Sequence, residues 1–233
     1  MKKIKVMIVD DERAARNEMR RLLAGYPDFE IMAEAANADE AQSIITTQTP
    51  DLLFLDIQMP ERSGFDLLEE LEQVPPVIFT TAYDQYAVKA FDISALDYLV
   101  KPIREERFEK AITQARQRLN KTDAAGQIFV KDRQQYHLVQ WSSVHLIESM
   151  DNYARIFFND KNVFLKSSLN QLEDKLNAEL FFRINRAQII NREFIREISS
   201  TAGNRLTITL STGAVLEVSD RQSVKFKLWA AGK

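Results

Sequence analysis

The chain of 233 residues contains no cysteine. Disulfides, thiolate zinc sites and cysteine nucleophiles are therefore excluded. No apolar stretch approaches the roughly 18 residues that a membrane-spanning helix requires. Met1-Lys2-Lys3 leads straight into a strand-like run and not into a signal-peptide core. A soluble, cytoplasmic protein with no membrane partner is expected. There is also no internal repeat of fixed period and no low-complexity segment. Excess charge is scarce, the net balance being −3, which taken alone argues against a nucleic-acid binder.

The two halves differ in charge, however. Residues 1–120 hold 15 Lys+Arg against 22 Asp+Glu, a balance of −7, and residues 121–233 hold 16 against 12, a balance of +4. A basic half joined to an acidic half is consistent with nucleic-acid binding by the second, and equally with an ordinary solvated surface. The length and the 45% hydrophobic content suit two domains better than one.

In the first half, four short apolar runs each end in polar groups. Ile4 to Val9 ends in Asp10 and Asp11, Leu52 to Leu55 in Asp56, Val77 to Phe79 in Thr80 and Thr81, and Tyr98 to Val100 in Lys101-Pro102. Such runs are too short for buried helices and read as strands covered on both faces. A fifth, Ile31 to Ala35, reads as an edge strand. Helical patterns lie between them: one on Ala15, Met19, Leu22 and Leu23, and one opened by Asn37 as N-cap with Asp39 and Glu40 in its first turn. Others follow on Phe65, Leu67, Leu68 and Leu71, on Tyr86 to Phe91, and on Glu105 to Leu119. Strand alternating with helix predicts a doubly wound α/β domain with a parallel sheet of five strands.

In such a sheet the strand ends share one edge, where ligands bind. Asp10, Asp11 and Asp56 then converge with a threonine hydroxyl and the Lys101 amine. Three carboxylates cannot all stay ionised beside a single lysine, so a divalent cation is the natural remedy, and an all-oxygen open site suits Mg²⁺. A carboxylate beside such a metal can act as a nucleophile toward a phosphoryl group. The competing reading is that Asp10 and Asp11 cap the next helix, but it does not account for four matched strand ends.

Val9-Asp10-Asp11-Glu12, Leu55-Asp56-Ile57-Gln58-Met59-Pro60 with Ser63-Gly64, Thr80-Thr81-Ala82 and Asp97-Tyr98-Leu99-Val100-Lys101-Pro102 resemble the receiver domain of two-component response regulators. The resemblance implies the strand order 2-1-3-4-5 and Asp56 as phospho-acceptor. It implies Asp10 and Asp11 as the acidic metal pair, with a backbone carbonyl of Gln58 also on Mg²⁺. Thr81 and Lys101 would contact the phosphoryl oxygens, and Tyr98 would be an aromatic switch that follows Thr81. It further implies a cis Lys101-Pro102 bond, a sensor histidine kinase as partner, and no enzymatic activity beyond self-phosphorylation and slow autodephosphorylation. A phosphatase of the haloacid-dehalogenase type would need an acid two residues after the nucleophile, where this chain has Gln58.

Residues 120–126 have no apolar periodicity and read as a linker, which sets the domains at 1–119 and 127–233. Beyond it come short β-type runs at 128–131, 137–140, 144–148, 154–158, 163–166, 206–210 and 214–218, separated by turn signals. Only Ser168 to Leu176 shows a helical pattern, so the second domain is expected to be mainly β. Its arginines and amides fall at strand ends, where they suit base-edge contacts, while lysines such as Lys166 suit phosphates. Surface ion pairing is the competing account of those arginines.

Ile147-Glu148-Ser149 with Asn152-Tyr153, Ser168-Leu169 with Leu172-Glu173, Phe182 to Arg186 leading to Ile190-Asn191, and Val218-Ser219-Asp220-Arg221 are similar to the LytTR DNA-binding domain. That family reads double-stranded DNA with loops of a small β fold and pairs this domain with a receiver. Arg186 and Arg221 match base-contacting positions, and Asn152, Asn185 and Lys166 are further candidates. The chain departs from the pattern at Asn185 (usually His), at Ala187 and Gln188 (usually Ser then an aromatic) and at Asp220 (usually Arg). The resemblance as a whole implies a phosphorylation-controlled transcription regulator. Tyr86, Lys89, Phe91, Asp92 and Arg107, a mix of apolar and oppositely charged groups, suit a self-complementary two-fold contact, so a homodimer through that face is expected when the protein is phosphorylated. An adaptor whose second domain binds protein is the rival reading. Salt-dependent binding to random duplex DNA separates the two.

Overall fold

The structure, a computed structural model, describes residues 3–82, 95–120, 126–132, 135–200 and 205–231. The chain forms two compact units, Met1–Gln140 and Trp141–Lys233. In the first, β1 (Ile4–Val9), β2 (Phe29–Ala35), β3 (Leu52–Asp56), β4 (Val77–Thr81) and β5 (Asp97–Val100) form a parallel sheet in the order β2-β1-β3-β4-β5. This is the doubly wound architecture and order expected. The helices are α1 (Arg13–Leu23), α2 (Ala38–Thr47), α3 (Gly64–Glu70) and α4 (Glu105–Asn120). The short helix expected at Tyr86–Phe91 lies outside the described residues.

Why the central strands are unbroken apolar runs follows from the pleat, which sends successive side chains to opposite faces. Met7, Val9, Leu53, Leu55, Val77 and Phe79 pack with the residues of α2 and α3. Their neighbours Val6, Ile8, Leu52, Phe54 and Ile78 pack with Leu22, Phe108 and Ile112 of α1 and α4. Both faces are therefore covered, and β3 is buried along its whole length. Local chemistry fixes the helix starts: the Asn37 side chain accepts the Glu40 N–H at 2.8 Å, and Ser63 with Asp66 forms a reciprocal capping box on α3. The Lys101-Pro102 bond is cis.

A hairpin, β6 (Gln127–Asp132) and β7 (Gln135–Gln140), completes the first unit. Phe129 and Leu138 join the cluster that covers the α2–α3 face of the sheet. The division between compact units thus falls one hairpin after the linker expected at 120–126.

The second unit is mainly β, as expected. An antiparallel sheet runs β10-β9-β8-β12-β11 through β10 (Lys161–Leu165), β9 (Tyr153–Phe158), β8 (Val144–Met150), β12 (Gln188–Asn191) and β11 (Phe181–Asn185). A smaller sheet joins β13 (Ile195–Ser200), β14 (Leu206–Leu210) and β15 (Val215–Glu217). The expected helix is present as α5 (Leu169–Glu173), again with a capping box, from Ser168 and Gln171. A second helix, α6 (Asp220–Ala231), corrects the expectation of only one. Of its apolar residues Phe226 is buried, but Val224 and Leu228 are 70% and 72% exposed, so no clean apolar face marks the helix in the sequence. Strands β11, β12 and β13 were also not legible: β12 has four residues, and β13 is exposed along most of its polar length. Among the described residues no helix is long and apolar enough to cross a membrane.

Candidate functional site

The β1–α1 connection carries Asp10 and Asp11, and Arg16 pins it by donating from Nη1 to the carbonyls of both, at 2.7 and 3.2 Å. Asp56 ends β3 and pairs in register with Thr80. One carboxylate oxygen from each of Asp10, Asp11 and Asp56 lies within 4.8 Å of the others. Asp10 and Asp56 are buried, Asp11 half-buried. Lys101 Nζ lies 2.8 Å from Asp10 Oδ2 and 2.6 Å from Asp56 Oδ2. The other oxygen of each acid accepts a backbone N–H, from Glu12 and from Gln58 respectively, both at 3.0 Å.

Burial raises the pKa of Asp10 and of Asp56 above the ordinary carboxylate range, against the opposing pull of Lys101. Burial also works to lower Lys101, but its hydrogen bonds to the two acids outweigh this and its pKa is raised. One ammonium thus serves two buried carboxylates with a third beside them. The donor set, three carboxylates and no nitrogen or sulfur ligand, fits a hard divalent cation such as Mg²⁺.

Thr81 is fully buried at the end of β4, paired with Val100, and its carbonyl accepts the Lys101 N–H at 2.7 Å. Tyr98 is half-buried, its ring 6.3 Å from that of Phe79. Gln58 is exposed, directly past the buried Ile57. Gly64 was named only as part of a motif, and the structure gives its reason: a Cβ there would lie 2.3 Å from the Asp56 carbonyl oxygen. No pattern in the sequence shows that approach, because it joins residues on different elements.

In the second unit the registers bring the end of β8, the start of β9, the end of β10, the start of β12 and the end of β11 to one end of the sheet. Asn152 lies in the β8–β9 turn, Lys166 just after β10, and Asn185 and Arg186 at the β11–β12 turn, so four of the predicted residues share that end. Arg221 opens α6 beside them, since the Ser219 N–H donates to the Ile184 carbonyl at 3.0 Å. A cleft of about 680 Å³ is lined by Arg183, Asn185, Arg186, Ser219 and Arg221, among others.

These residues are not alike. Arg186, Arg221, Asn152 and Lys166 are exposed. The Asn185 amide is committed internally: it donates to Gln188 Oε1 at 2.9 Å and the Glu217 carbonyl at 3.0 Å, and accepts the Ala187 N–H at 2.9 Å. Arg183, whose position in the sequence also suited base contact, is an ion-pair partner of Glu173 at 3.1 Å. It also donates to Asn170 and to the carbonyls of Asn185 and Arg186. It braces the turn that presents Arg186.

The parallel order 2-1-3-4-5, the acidic strand ends and the lysine that bridges them define the first unit as a receiver. Residues 6–113 match the family model of the response regulator receiver domain, and residues 134–231 that of the LytTr DNA-binding domain. The chain is 36% identical to the sensory transduction protein LytT of Enterococcus faecalis, over 95% of its own length and 97% of that protein's. It is 36% identical to the transcriptional regulatory protein BtsR of Salmonella typhi, over 94% and 95% respectively. To LytT of Bacillus subtilis it is 31% identical over 96% and 98%. The chain belongs to the LytTR family of two-component response regulators, and so is a transcriptional regulator with a receiver and a DNA-binding domain.

Proposed function

We propose that a sensor histidine kinase phosphorylates this regulator on Asp56 and that the modified protein binds specific double-stranded DNA. The observation that carries the reading is the meeting of three carboxylates within 4.8 Å, one of them held by Lys101 at 2.6 Å. Asp56 is the acceptor: a carboxylate oxygen forms the new P–O bond as the donor's bond to phosphorus breaks. Asp10, Asp11, Asp56 and the Gln58 carbonyl hold Mg²⁺. When bound, Mg²⁺ supplies positive charge to the phosphoryl oxygens. Lys101, already beside Asp56, pairs with the added charge, and Thr81 donates its hydroxyl to it. Tyr98 follows Thr81.

Arg186 and Arg221 read base edges, Asn152 and Lys166 contact the adjoining bases and phosphates, and Asn185 acts by fixing the β11–β12 turn. Two copies join when phosphorylated, because linking two small readers makes the second binding event effectively intramolecular. Of the residues expected on the dimer face, Tyr86, Lys89, Phe91 and Asp92 lie outside the described residues. Arg107 lies within them, paired with Asp97 and donating to the Tyr98 carbonyl at 2.9 Å. The protein works in the cytoplasm. Selection of bound sequences from random duplex DNA, with and without beryllofluoride and Mg²⁺, tests the reading. Enrichment of a common site that strengthens with the mimic is expected. An unenriched pool in both arms would sink it.

A further inference from the structure

Phe65 is the second residue of α3 and stands at a junction. Its predecessor Gly64 donates its N–H to the Ile57 carbonyl at 2.9 Å and has no room for a Cβ against the Asp56 carbonyl. The Phe65 ring lies edge-on to Phe79 of β4, centroids 5.2 Å apart, and Phe79 in turn lies 6.3 Å from Tyr98. On its other side Phe65 stacks on Tyr136 at 4.7 Å and on Phe129 at 5.8 Å, both from the β6–β7 hairpin. Those two rings stack on each other at 5.4 Å. Gly64 and Phe65, adjacent in α3, therefore touch the acceptor strand's exit through the Gly64 backbone, and the strand that carries Thr81 and the hairpin through the Phe65 ring.

The hairpin is also tied to the segment between α3 and β4. Gln127 donates from Nε2 to the Pro75 carbonyl at 2.7 Å, and its own carbonyl accepts the Val74 N–H at 3.1 Å. Lys131 lies 3.6 Å from Glu69 and 5.3 Å from the centre of the Tyr136 ring. These bonds hold the hairpin to the receiver while its far end runs directly into Trp141, the first residue of the second unit. The second family match begins at residue 134, inside this hairpin. Strand β7 of the hairpin thus lies within the second family match while its Tyr136 and Leu138 pack into the receiver core.

We propose that the β6–β7 hairpin is the element through which the state of Asp56 reaches the DNA-binding unit, with Phe65 as the transmitting residue. The physical ground is that the stack is close-packed and two-sided, so a shift of the β3–α3 loop at Asp56, or of Phe79 as Tyr98 turns, cannot leave the rings from the hairpin where they are. The inference rests on Asp56 being the acceptor.

Amide hydrogen exchange of the full chain, with Mg²⁺ and with or without beryllofluoride, reads the hairpin directly. In the wild type, exchange of the hairpin amides is expected to change at least threefold on adding the mimic. Tyr136→Ala removes the closest ring partner of Phe65 without touching the acidic pocket. This variant is expected to take up label from a small-molecule phosphodonor as the wild type does, while its DNA affinity no longer changes with the mimic. Tyr136→Phe keeps the stack and should restore the response. Equal hairpin exchange in both states of a wild type that labels fully would overturn the proposal, as would a Tyr136→Ala protein whose DNA response matches the wild type. A wild type that takes no label would instead overturn the assignment of Asp56, a separate and recognisable result.

Discussion

Gly64 approaches the Asp56 carbonyl so closely that a single added carbon would lie 2.3 Å from the oxygen and 3.0 Å from Leu55 Cγ. The backbone oxygen cannot yield without moving the acceptor itself. Gly64→Ala is therefore expected to cost about 1–3 kcal/mol of stability, the range for forced overpacking, and to slow phosphoryl uptake at Asp56. Denaturant unfolding and a time course of labelling measure the two effects. Wild-type values for both would mean that α3 can slide away freely.

Asp56→Asn is expected to abolish labelling by a small-molecule phosphodonor, because the amide is not a nucleophile toward phosphorus. Asp11→Asn leaves the acceptor in place but removes a metal-binding oxygen, so the Mg²⁺ needed for half-maximal labelling should rise. A chelator should suppress labelling of the wild type. Stoichiometric label on the Asp56→Asn protein would move the acceptor elsewhere.

His145 provides a pH test of the second unit. It is buried between Phe157 and Phe194 with Nδ1 unpartnered, and burial lowers its pKa, with Asp160 opposing. The unfolded chain binds the proton near the ordinary value of about 6.5, the folded chain only below it. Its contribution is thus fully present above that pH and is lost as pH falls toward the folded value. The two tryptophans, Trp141 and Trp229, both belong to this unit, so their fluorescence follows it selectively. Unfolding midpoints should fall between pH 7 and 5, and His145→Phe should flatten the trend.

How far the sequence could be read depended on whether neighbours in space were neighbours in pattern. Strand β3 announced itself, because a segment covered on both faces must be apolar throughout, and the acids at the strand ends followed from the parallel order. Helix α6 did not, since Val224 and Leu228 face outward and blur its period. The sequence left the arginines at the strand ends open to base contact or to ion pairing, and Arg183 could not be sorted from Arg186 because Asn170 and Glu173, which occupy it, lie on helix α5, earlier in the chain. The stack of Phe65, Phe129 and Tyr136 joins α3 to a hairpin more than sixty residues on, and no local periodicity encodes such a meeting.

The exposed Arg186 and Arg221 differ in role from Lys166. Replacing either arginine by Ala should cost about 1–3 kcal/mol at the specific site and relax sequence preference there. Lys166→Ala should weaken all duplexes alike and reduce the salt slope by about one. Asn185→Ala should act differently again, lowering stability, because the turn loses the bonds to Gln188, Glu217 and Ala187. Titration against matched and random duplexes separates the three behaviours. Equal losses on both duplexes for the arginine variants would make them phosphate contacts.

Asp220 is the residue at which DNA binding and folding pull in opposite directions. An acid beside Arg221 repels phosphate, but Asp220 also stands in the first turn of α6, where a negative charge is favourable to the helix by about 0.3–1 kcal/mol. Asp220→Arg discards that term and places a positive charge at the positive end of the helix. The loss is screened by exposure, and α6 keeps its anchor through the buried Phe226 and the ring contacts of Phe226 and Trp229 with Phe182 of β11. On the DNA side the change removes one repulsion and adds one cation, and each phosphate neutralised steepens the salt dependence by about one unit. The expected outcome is a protein slightly less stable to denaturant that binds every duplex more tightly at low salt, its advantage shrinking as salt is raised. Unchanged affinity at low salt would show that this turn of α6 does not face the phosphates, and that Arg221 beside it works from a different approach.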